Sequence, residues 1–188
     1  MADQSYKLKK TIVLVGMMGA GKSAVGRHLA DYLRVAFLDS DDEIVKAANR
    51  PIAEIFARDG EPFFRNRESE VISRLLEGRP GVLSTGGGAF LAPRNREMIS
   101  GRGISVWLDG DLELLWARVR HKDTRPLLRT ADPKATLSEI YDQRVPQYAL
   151  ADLAVKADPA YSIAQMSGQV IEALLTRPDV LEQRKGRR

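Results

Sequence analysis

The chain has 188 residues, of which 44% are hydrophobic and 29% are charged, so its composition is that of an ordinary globular domain with a sizeable core. It contains no cysteine, which excludes a disulfide framework, a thiolate nucleophile and a cysteine-bound metal. The formal net charge of +4 does not by itself indicate a nucleic-acid partner, because four positive charges lie in residues 184–188.

The first predicted element is a buried strand at residues 11–15, and a glycine-rich loop follows it. The loop sequence GMMGAGKS (16–23) matches the phosphate-binding pattern G-x4-G-K-[ST]. Its glycines let backbone N–H groups approach a phosphate, and the following helix adds the partial positive charge of its N-terminus. Lys22 is then expected to reach the β- and γ-phosphates, and the Ser23 hydroxyl to bind Mg²⁺. A glycine turn without a ligand is the alternative, but the flanking strand and helix favour a nucleotide site.

The remaining elements alternate between short apolar runs and helical patterns. The apolar runs predict strands at residues 35–38, 82–84, 103–109 and 153–156. The helical patterns lie at residues 23–33, 39–48, 51–77 (interrupted at 59–62), 93–100, 112–120, 136–148 and 162–175. We therefore expect an α/β fold of three layers, α/β/α, with a five-stranded parallel sheet and helices on both of its faces. Ligands of such a sheet bind at the carboxyl ends of its strands.

Two acidic residues, Asp39 and Asp41, follow the second strand of this predicted sheet. Their i, i+2 spacing in an extended chain would point both carboxylates the same way. Beside a phosphate loop, Asp39 could hold a metal ion through water, and Asp41 could accept a hydrogen bond from an attacking hydroxyl. An aspartate with an ordinary pKa of about 3.9 is a weak base at neutral pH, so we expect Asp41 mainly to orient the hydroxyl. The alternative is a helix N-cap formed by Asp39 or Ser40.

Three consecutive glycines, Gly86, Gly87 and Gly88, follow the third strand. Three glycines cost more conformational entropy than a tight turn requires. We therefore expect a small polar ligand to lie directly on their backbone N–H groups. An ordinary strand-to-helix turn is the alternative.

Arg65 lies close in the sequence to Phe56 and Phe64, which suits a pocket with an apolar wall and a clamp for a carboxylate. Glu68 is three residues further along the same helix face and could hold the guanidinium in place. A pair of surface side chains is the alternative interpretation.

The basic residues Arg118, Arg125 and Arg144 could supply positive charge to a transferring phosphoryl group. Arg125 lies in the polar, aperiodic stretch 121–133, and we expect a mobile lid over about residues 118–134 that excludes water when it closes. A solvated loop with no such role is the alternative.

Together these motifs resemble those of the shikimate kinases, small P-loop kinases with a nucleoside monophosphate kinase-like fold. The matching motifs, in chain order, are GMMGAGKS (16–23), DSD (39–41), IFxxxGExxFRxxE (55–68), TGGG (85–88), RPLL (125–128) and R-x-P-x-Y (144–148). With the order of the elements, the resemblance covers the chain from about residue 10 to residue 176. It implies transfer of the ATP γ-phosphate to the 3-hydroxyl of shikimate, in aromatic amino-acid biosynthesis.

The resemblance also implies roles for individual residues. It implies that catalysis depends on Asp41, Lys22 and Arg125. The implied ATP-binding residues are Gly19, Ala20, Gly21, Lys22, Ser23, Ala24, Arg118 (stacked on adenine), Arg125 and Ser162, which stands where the family often has a proline. The implied shikimate-binding residues are Asp41, Ile52, Phe56, Phe64, Arg65, Glu68, Gly86, Gly87, Gly88, Pro126 and Arg144. The implied Mg²⁺ ligands are Ser23 and, through water, Asp39.

We expect a single domain over residues 1–188, with its core at about 10–176. Within it, substrate-binding helices would span about residues 40–77, the lid about 118–134, and a disordered basic tail about 178–188.

No apolar run approaches the ~20 residues of a membrane span, and no apolar segment follows the N-terminal lysines as it would in a signal peptide. We therefore expect a cytoplasmic monomer that binds shikimate and ATP but neither nucleic acid nor a membrane. Two alternatives remain open: another P-loop small-molecule kinase, such as a gluconate kinase, and an ATP-binding switch module that transfers nothing.

Overall fold

A computed structural model describes residues 5–122 and 126–184 of the chain. The strands are β1 (Tyr6–Leu8), β2 (Thr11–Val15), β3 (Phe37–Asp39), β4 (Val82–Ser84), β5 (Gly103–Asp109), β6 (Leu153–Lys156) and β7 (Leu181–Gln183). The α-helices are α1 (Lys22–Leu33), α2 (Ser40–Ala48), α3 (Ile52–Asp59), α4 (Glu61–Leu76), α5 (Pro93–Arg102), α6 (Leu112–Val119), α7 (Pro133–Tyr148) and α8 (Ile163–Leu175). Short 3₁₀ turns lie at Ala89–Leu91 and Pro126–Leu128.

Five of the strands form one parallel sheet in the order β3-β4-β2-β5-β6, which confirms the predicted α/β fold. All five residues of the central strand β2 are buried, since the sheet is covered by helices on both faces. Because β4 lies between β2 and β3, the loops that follow these three strands are neighbours at the carboxyl edge of the sheet. The phosphate loop, Asp39 and the three glycines are therefore brought to one place.

A second, smaller core lies beside the main one. Ile44, Ile55, Phe64 and Val71 pack together and join α2, α3 and α4 into one helical unit. This unit covers the predicted substrate-binding helices. It carries Asp41 and the side chains of α4, which begins directly after Gly60. In the described part of the chain, no helix has both the length and the apolar character needed to cross a membrane.

Some predicted boundaries are wrong. The strand expected at 35–38 lies at Phe37–Asp39, because its backbone pairs with β4 through Phe37–Val82 and Asp39–Ser84. The helix expected from residue 136 begins at Pro133, because Asp132 caps it by accepting a hydrogen bond from the Ala135 N–H at 3.1 Å.

The predicted lid at residues 118–134 stays a prediction, and its two ends overlap helices. Helix α6 continues to Val119, and α7 begins at Pro133, so both ends of the proposed segment belong to helices. Arg125, expected to act in catalysis and ATP binding, lies outside the described residues.

The prediction of a disordered tail over residues 178–188 is wrong for 178–184, and the core extends beyond the expected 10–176. Strand β7 pairs antiparallel with β1, a strand that the sequence did not predict. Val180 and Leu181 are 0% and 1% exposed, so this corner of the molecule is packed rather than solvated. This apolar pair is too short to predict a strand, and its partner strand lies at the opposite end of the chain.

Candidate active site

The phosphate loop connects β2 to α1 and folds closely against α6. Gly19 has a left-handed φ of +82°, and a Cβ atom there would lie 2.8 Å from Val119 Cγ1, so no larger residue fits. The Lys22 ammonium donates to the Gly16 and Met17 carbonyl oxygens at 2.7 and 3.0 Å. The Arg118 guanidinium donates to the Gly19 carbonyl oxygen at 3.0 Å from the exposed side of the loop.

Asp39 uses its two carboxylate oxygens for two different contacts. Oδ1 accepts hydrogen bonds from the Asp41 and Asp42 N–H groups at 2.9 and 3.3 Å, so Asp39 is the N-cap of α2. Oδ2 accepts from the Ser23 hydroxyl at 3.4 Å. Capping α2 with one carboxylate oxygen therefore does not prevent Asp39 from binding a metal ion with the other oxygen. The expected extended i, i+2 geometry is wrong, because Asp41 lies in the first turn of α2.

Each of the three glycines faces a different charged side chain. A Cβ atom at Gly86 would lie 2.8 Å from Asp41 Oδ1, and one at Gly87 would lie 2.7 Å from Arg144 Nη1. At Gly88 it would lie 2.5 Å from Arg65 Nη2. The bare backbone after β4 is thus where Asp41, Arg65 and Arg144 converge, as the sequence motifs led us to expect.

The Arg65 guanidinium is held by an ion pair and an aromatic ring. Its Nη1 donates to Glu68 Oε1 at 2.9 Å, and the Glu68 side chain is only 1% exposed. Its central carbon lies 5.2 Å from the centre of the Phe64 ring, which is itself 4.6 Å from the Phe56 ring. The expected pairing of Arg65 with Glu68 is present. Because Phe64 belongs to the second core, the Arg65 guanidinium packs against a buried side chain.

Burial raises the pKa of two carboxyl groups in this cluster. For Asp41, loss of solvent is the largest cause, the negative charge of Asp39 adds to it, and Lys22 and Arg65 oppose it. For Glu68, loss of solvent again dominates over its hydrogen bond from Arg65. Asp41 is therefore a better proton acceptor than an aspartate in water, which the sequence did not indicate.

Several residues that shape the site were missed at the level of the sequence. The Tyr148 hydroxyl donates to the Gly87 carbonyl oxygen at 2.6 Å. The Gly86 N–H donates to the Ser40 hydroxyl at 3.3 Å, and Arg94 donates to the Arg65 carbonyl oxygen at 3.1 Å. Tyr148 ends the R-x-P-x-Y motif, which was the available signal for it.

The other predicted residues have simpler surroundings. Ser162 caps α8 by accepting from the Gln165 N–H at 3.1 Å, and its own N–H donates to Gln165 Oε1 at 2.8 Å. Ile52 packs against the second core, and Pro126 is an exposed residue at the start of a 3₁₀ turn. Ala20 is buried within the phosphate loop, and Ala24 is exposed on the first turn of α1.

A phosphate loop between a central parallel strand and a helix, facing a separate cluster of acid and arginine side chains, defines the class of P-loop small-molecule kinases. A family model described as "Shikimate kinase" matches residues 18–175. The chain belongs to the shikimate kinase family, and it is an ATP-dependent kinase.

The relatives support this assignment over nearly the whole chain. The shikimate kinase of Ruegeria pomeroyi is 69% identical over 93% of this chain and 90% of its own length. The shikimate kinase of Cereibacter sphaeroides is 64% identical over 94% of this chain and 88% of its own length. The structure of the Acinetobacter baumannii shikimate kinase in complex with shikimate is 38% identical and matches with a TM-score of 0.82, over 89% of this chain and 93% of that one. A gluconokinase from Sinorhizobium meliloti, 20% identical with a TM-score of 0.60 over 90% of this chain and 94% of its own, shares the fold alone.

Proposed function

We propose that the chain transfers the γ-phosphate of ATP to the 3-hydroxyl of shikimate, giving shikimate 3-phosphate and ADP for aromatic amino-acid biosynthesis. The observation that carries this proposal is the convergence of Asp41, Arg65 and Arg144 on the three glycines, beside the phosphate loop. Two guanidinium groups suit a carboxylate, and an acidic group with bare backbone suits ring hydroxyls.

The acceptor would be held between two helices. Arg65 on α4 and Arg144 on α7 would bind the shikimate carboxylate, while Asp41 and the backbone of Gly87 and Gly88 would bind its hydroxyls. Ile52, Phe56, Phe64 and Pro126 would form the apolar wall, and Glu68 would keep Arg65 in place.

In the transfer step, the 3-hydroxyl oxygen of shikimate would bond to the γ-phosphorus while the bond from that phosphorus to the β-γ bridging oxygen breaks. Asp41 would orient the hydroxyl and take its proton, and its raised pKa favours this role. Lys22 would exchange its two loop carbonyl partners for the phosphate oxygens, and Arg125 would add positive charge there.

The nucleotide would lie on the phosphate loop, with its phosphates on the backbone of Gly19, Ala20, Gly21, Lys22, Ser23 and Ala24. Arg118 would stack on adenine near the loop before α8, where Ser162 already uses its hydroxyl as a helix cap.

The Ser23 hydroxyl and Asp39 Oδ2, 3.4 Å apart, are oxygen donors of the kind that Mg²⁺ prefers. Among the described residues there is no cluster of three or more metal-ligating side chains, which fits a metal that is shared with phosphates and water. The ion would neutralise charge on the phosphate oxygens.

The segment between α6 and α7 would close over both substrates. Hydrogen exchange of residues 118–134 should slow when ADP and shikimate are both bound. Unchanged exchange with both ligands would remove the lid from the mechanism.

The decisive experiment is an assay of ADP release with Mg²⁺ and ATP, in which shikimate or gluconate is the only added acceptor. We expect turnover that depends on shikimate and stays at background with gluconate. Turnover with gluconate would favour the alternative kinase, and slow ATP hydrolysis that neither compound accelerates would favour the switch module. A thermal-shift scan of shikimate, gluconate and AMP, each with ADP and Mg²⁺, gives an independent measure of binding.

We further propose that the enzyme acts as a cytoplasmic monomer, without nucleic acid or a membrane as partner. Light scattering coupled to size exclusion should give one chain's mass of about 20.9 kDa.

A further inference from the structure

Helix α7 carries two polar side chains toward the same glycine. Arg144 and Tyr148 are four residues apart, so they lie on one face of the helix. Tyr148 is the last residue of α7 and is 0% exposed, and its ring lies 6.3 Å from that of Trp107 on β5. The phenol is therefore fixed between the helix and the sheet, and only its hydroxyl is directed at the active site.

The Tyr148 hydroxyl and the Arg144 guanidinium both lie against Gly87, which the proposed function assigns to shikimate. The hydroxyl donates to the Gly87 carbonyl oxygen at 2.6 Å. A Cβ atom on Gly87 would lie 2.7 Å from Arg144 Nη1 and 3.5 Å from the Tyr148 hydroxyl oxygen. Burial raises the pKa of Tyr148, against the opposing effect of Arg144, so the hydroxyl keeps its proton at neutral pH.

This arrangement sets the direction of a backbone donor. The Gly87 carbonyl and the Gly88 N–H belong to one planar trans peptide, so they point in opposite directions. With the carbonyl held by Tyr148, the N–H of Gly88 is turned away from the core. Within the described parts of the chain, neither the Gly87 nor the Gly88 N–H has a hydrogen-bond acceptor. Both donors are therefore available to a ligand, in a loop whose glycines could otherwise adopt many conformations.

We propose that Tyr148 is a positioning residue for the acceptor substrate, which aligns the Gly87–Gly88 peptide beside the Arg144 guanidinium. It acts through this peptide and not by contact with ATP or the reacting atoms. The proposal rests on the proposed function for the identity of the acceptor.

The test is the variant Tyr148→Phe, which removes one oxygen atom and keeps the buried ring. We expect the KM for shikimate to rise about tenfold, because one short hydrogen bond and the alignment of a second donor are lost. The KM for ATP should change by less than about twofold. The matched control is Tyr141→Phe on the same helix, since Tyr141 is only partly buried and packs against the core without being placed in the site.

A purely structural role would give a different result. It would lower the melting temperature of Tyr148→Phe but leave both KM values unchanged, or raise them together, and either outcome would overturn the proposal. If wild-type enzyme shows no turnover with shikimate at all, the proposed function fails instead, which is a distinguishable result.

A second measurement does not depend on the folding of a variant. A ¹³C label on the phenol carbon of Tyr148 in otherwise wild-type enzyme should change its NMR shift when shikimate binds in the presence of ADP and Mg²⁺. The same label at Tyr141 should not move. An unmoved Tyr148 signal at saturating shikimate would contradict the proposal.

Discussion

At the scale of single residues, the three glycines after β4 determine how close the charged side chains come. Asp41, Arg65 and Arg144 each occupy space that a Cβ atom would need. A run of glycines is visible in the sequence, and the family resemblance implies the three charged residues, but the sequence does not show which of them approaches which glycine, since they come from three different helices. Only the tertiary structure pairs each glycine with its own charge.

We predict that Gly88→Ala weakens shikimate binding without unfolding the protein. The new Cβ atom would lie 2.5–2.6 Å from the Arg65 guanidinium nitrogens, which would have to move away from their partner Glu68. The KM for shikimate should rise by at least about tenfold, because a charged hydrogen bond is displaced. The measurement is steady-state kinetics together with thermal unfolding.

Gly101→Ala is the control for this variant. Gly101 lies in α5, and a Cβ atom there would meet nothing within 4 Å. It should leave both KM values unchanged and slightly raise the melting temperature, since alanine restricts the unfolded chain. A normal KM for shikimate in Gly88→Ala would show that this close approach is unimportant.

At the scale of elements, Asp39 links the start of α2 to the phosphate loop. One oxygen caps the helix that carries Asp41, and the other faces Ser23. A helix cap and a metal ligand are indistinguishable in the sequence, because both place an aspartate directly after a strand. In the structure, one oxygen of the Asp39 carboxylate is used by the cap, and the other accepts from the Ser23 hydroxyl.

We predict that Asp39→Asn and Asp39→Ala separate these two roles. Asparagine retains a capping oxygen but lacks the negative charge, so stability should stay near wild type while the Mg²⁺ concentration for half-maximal activity rises about tenfold. Alanine should show the same defect and also lose about 1 kcal/mol of stability in urea unfolding. Asp111→Asn, at the N-cap of α6, is the control and should not alter the Mg²⁺ requirement. Unchanged Mg²⁺ dependence in Asp39→Asn would exclude it as a ligand.

Strands β1 and β7 pair with each other, so segments near the two ends of the chain lie side by side. Val180 and Leu181 are buried there, while Lys9 pairs with Glu182 at 3.0 Å on the surface. Surface ion pairs contribute little, so the buried apolar side chains account for most of the stability of this corner. The four basic residues at 184–188 draw attention away from this apolar pair.

We predict that a chain ending at residue 184 melts like the full-length protein, while one ending at residue 177 melts about 10 °C lower. The shorter chain loses β7 and its buried residues. In the full chain, Leu181→Ala should lower stability by about 2–4 kcal/mol, and Glu182→Ala on the same strand should have little effect. Equal melting temperatures for the two truncated chains would show that β7 contributes nothing.

At the scale of the whole molecule, the site brings together charged groups that burial has removed from much of their contact with water. Burial raises the pKa of both Asp41 and Glu68, which means that the folded state holds their charged forms less favourably than water does. A carboxyl group with a raised pKa lowers stability as pH rises from its ordinary value toward its folded value. The carboxylates that the site uses therefore lower the stability of the folded protein.

We predict that Asp41→Asn lowers kcat about a hundred- to ten-thousandfold and raises the melting temperature at neutral pH. The ordinary pKa of the group is 3.8, so below that pH the variant and wild type should melt alike. The difference should grow as pH rises through the folded pKa and then level off. Asp42→Asn, an exposed neighbour, is the control for both measurements. A melting temperature that does not rise at neutral pH would refute the electrostatic argument, and normal turnover would remove Asp41 from the mechanism.

The sequence by itself determined the nucleotide site, the five parallel strands and the family. These follow from local patterns: the phosphate loop is eight consecutive residues between a strand and a helix, and each strand is a short, mainly apolar run. The Arg65–Glu68 pair was also predictable, because a helix brings residues three apart together.

Only the tertiary structure decided how distant groups meet. Asp41 reaches the glycine loop because β3 lies next to β4. Arg144 reaches it from α7, which packs against the 3₁₀ turn at Ala89–Leu91, and neither strand order nor such packing is written in any local pattern. The β1–β7 pair and the bond from Tyr148 to Gly87 likewise join residues that are far apart in the chain. Such contacts depend on packing between segments that are far apart in the chain. No short stretch of sequence can specify that packing.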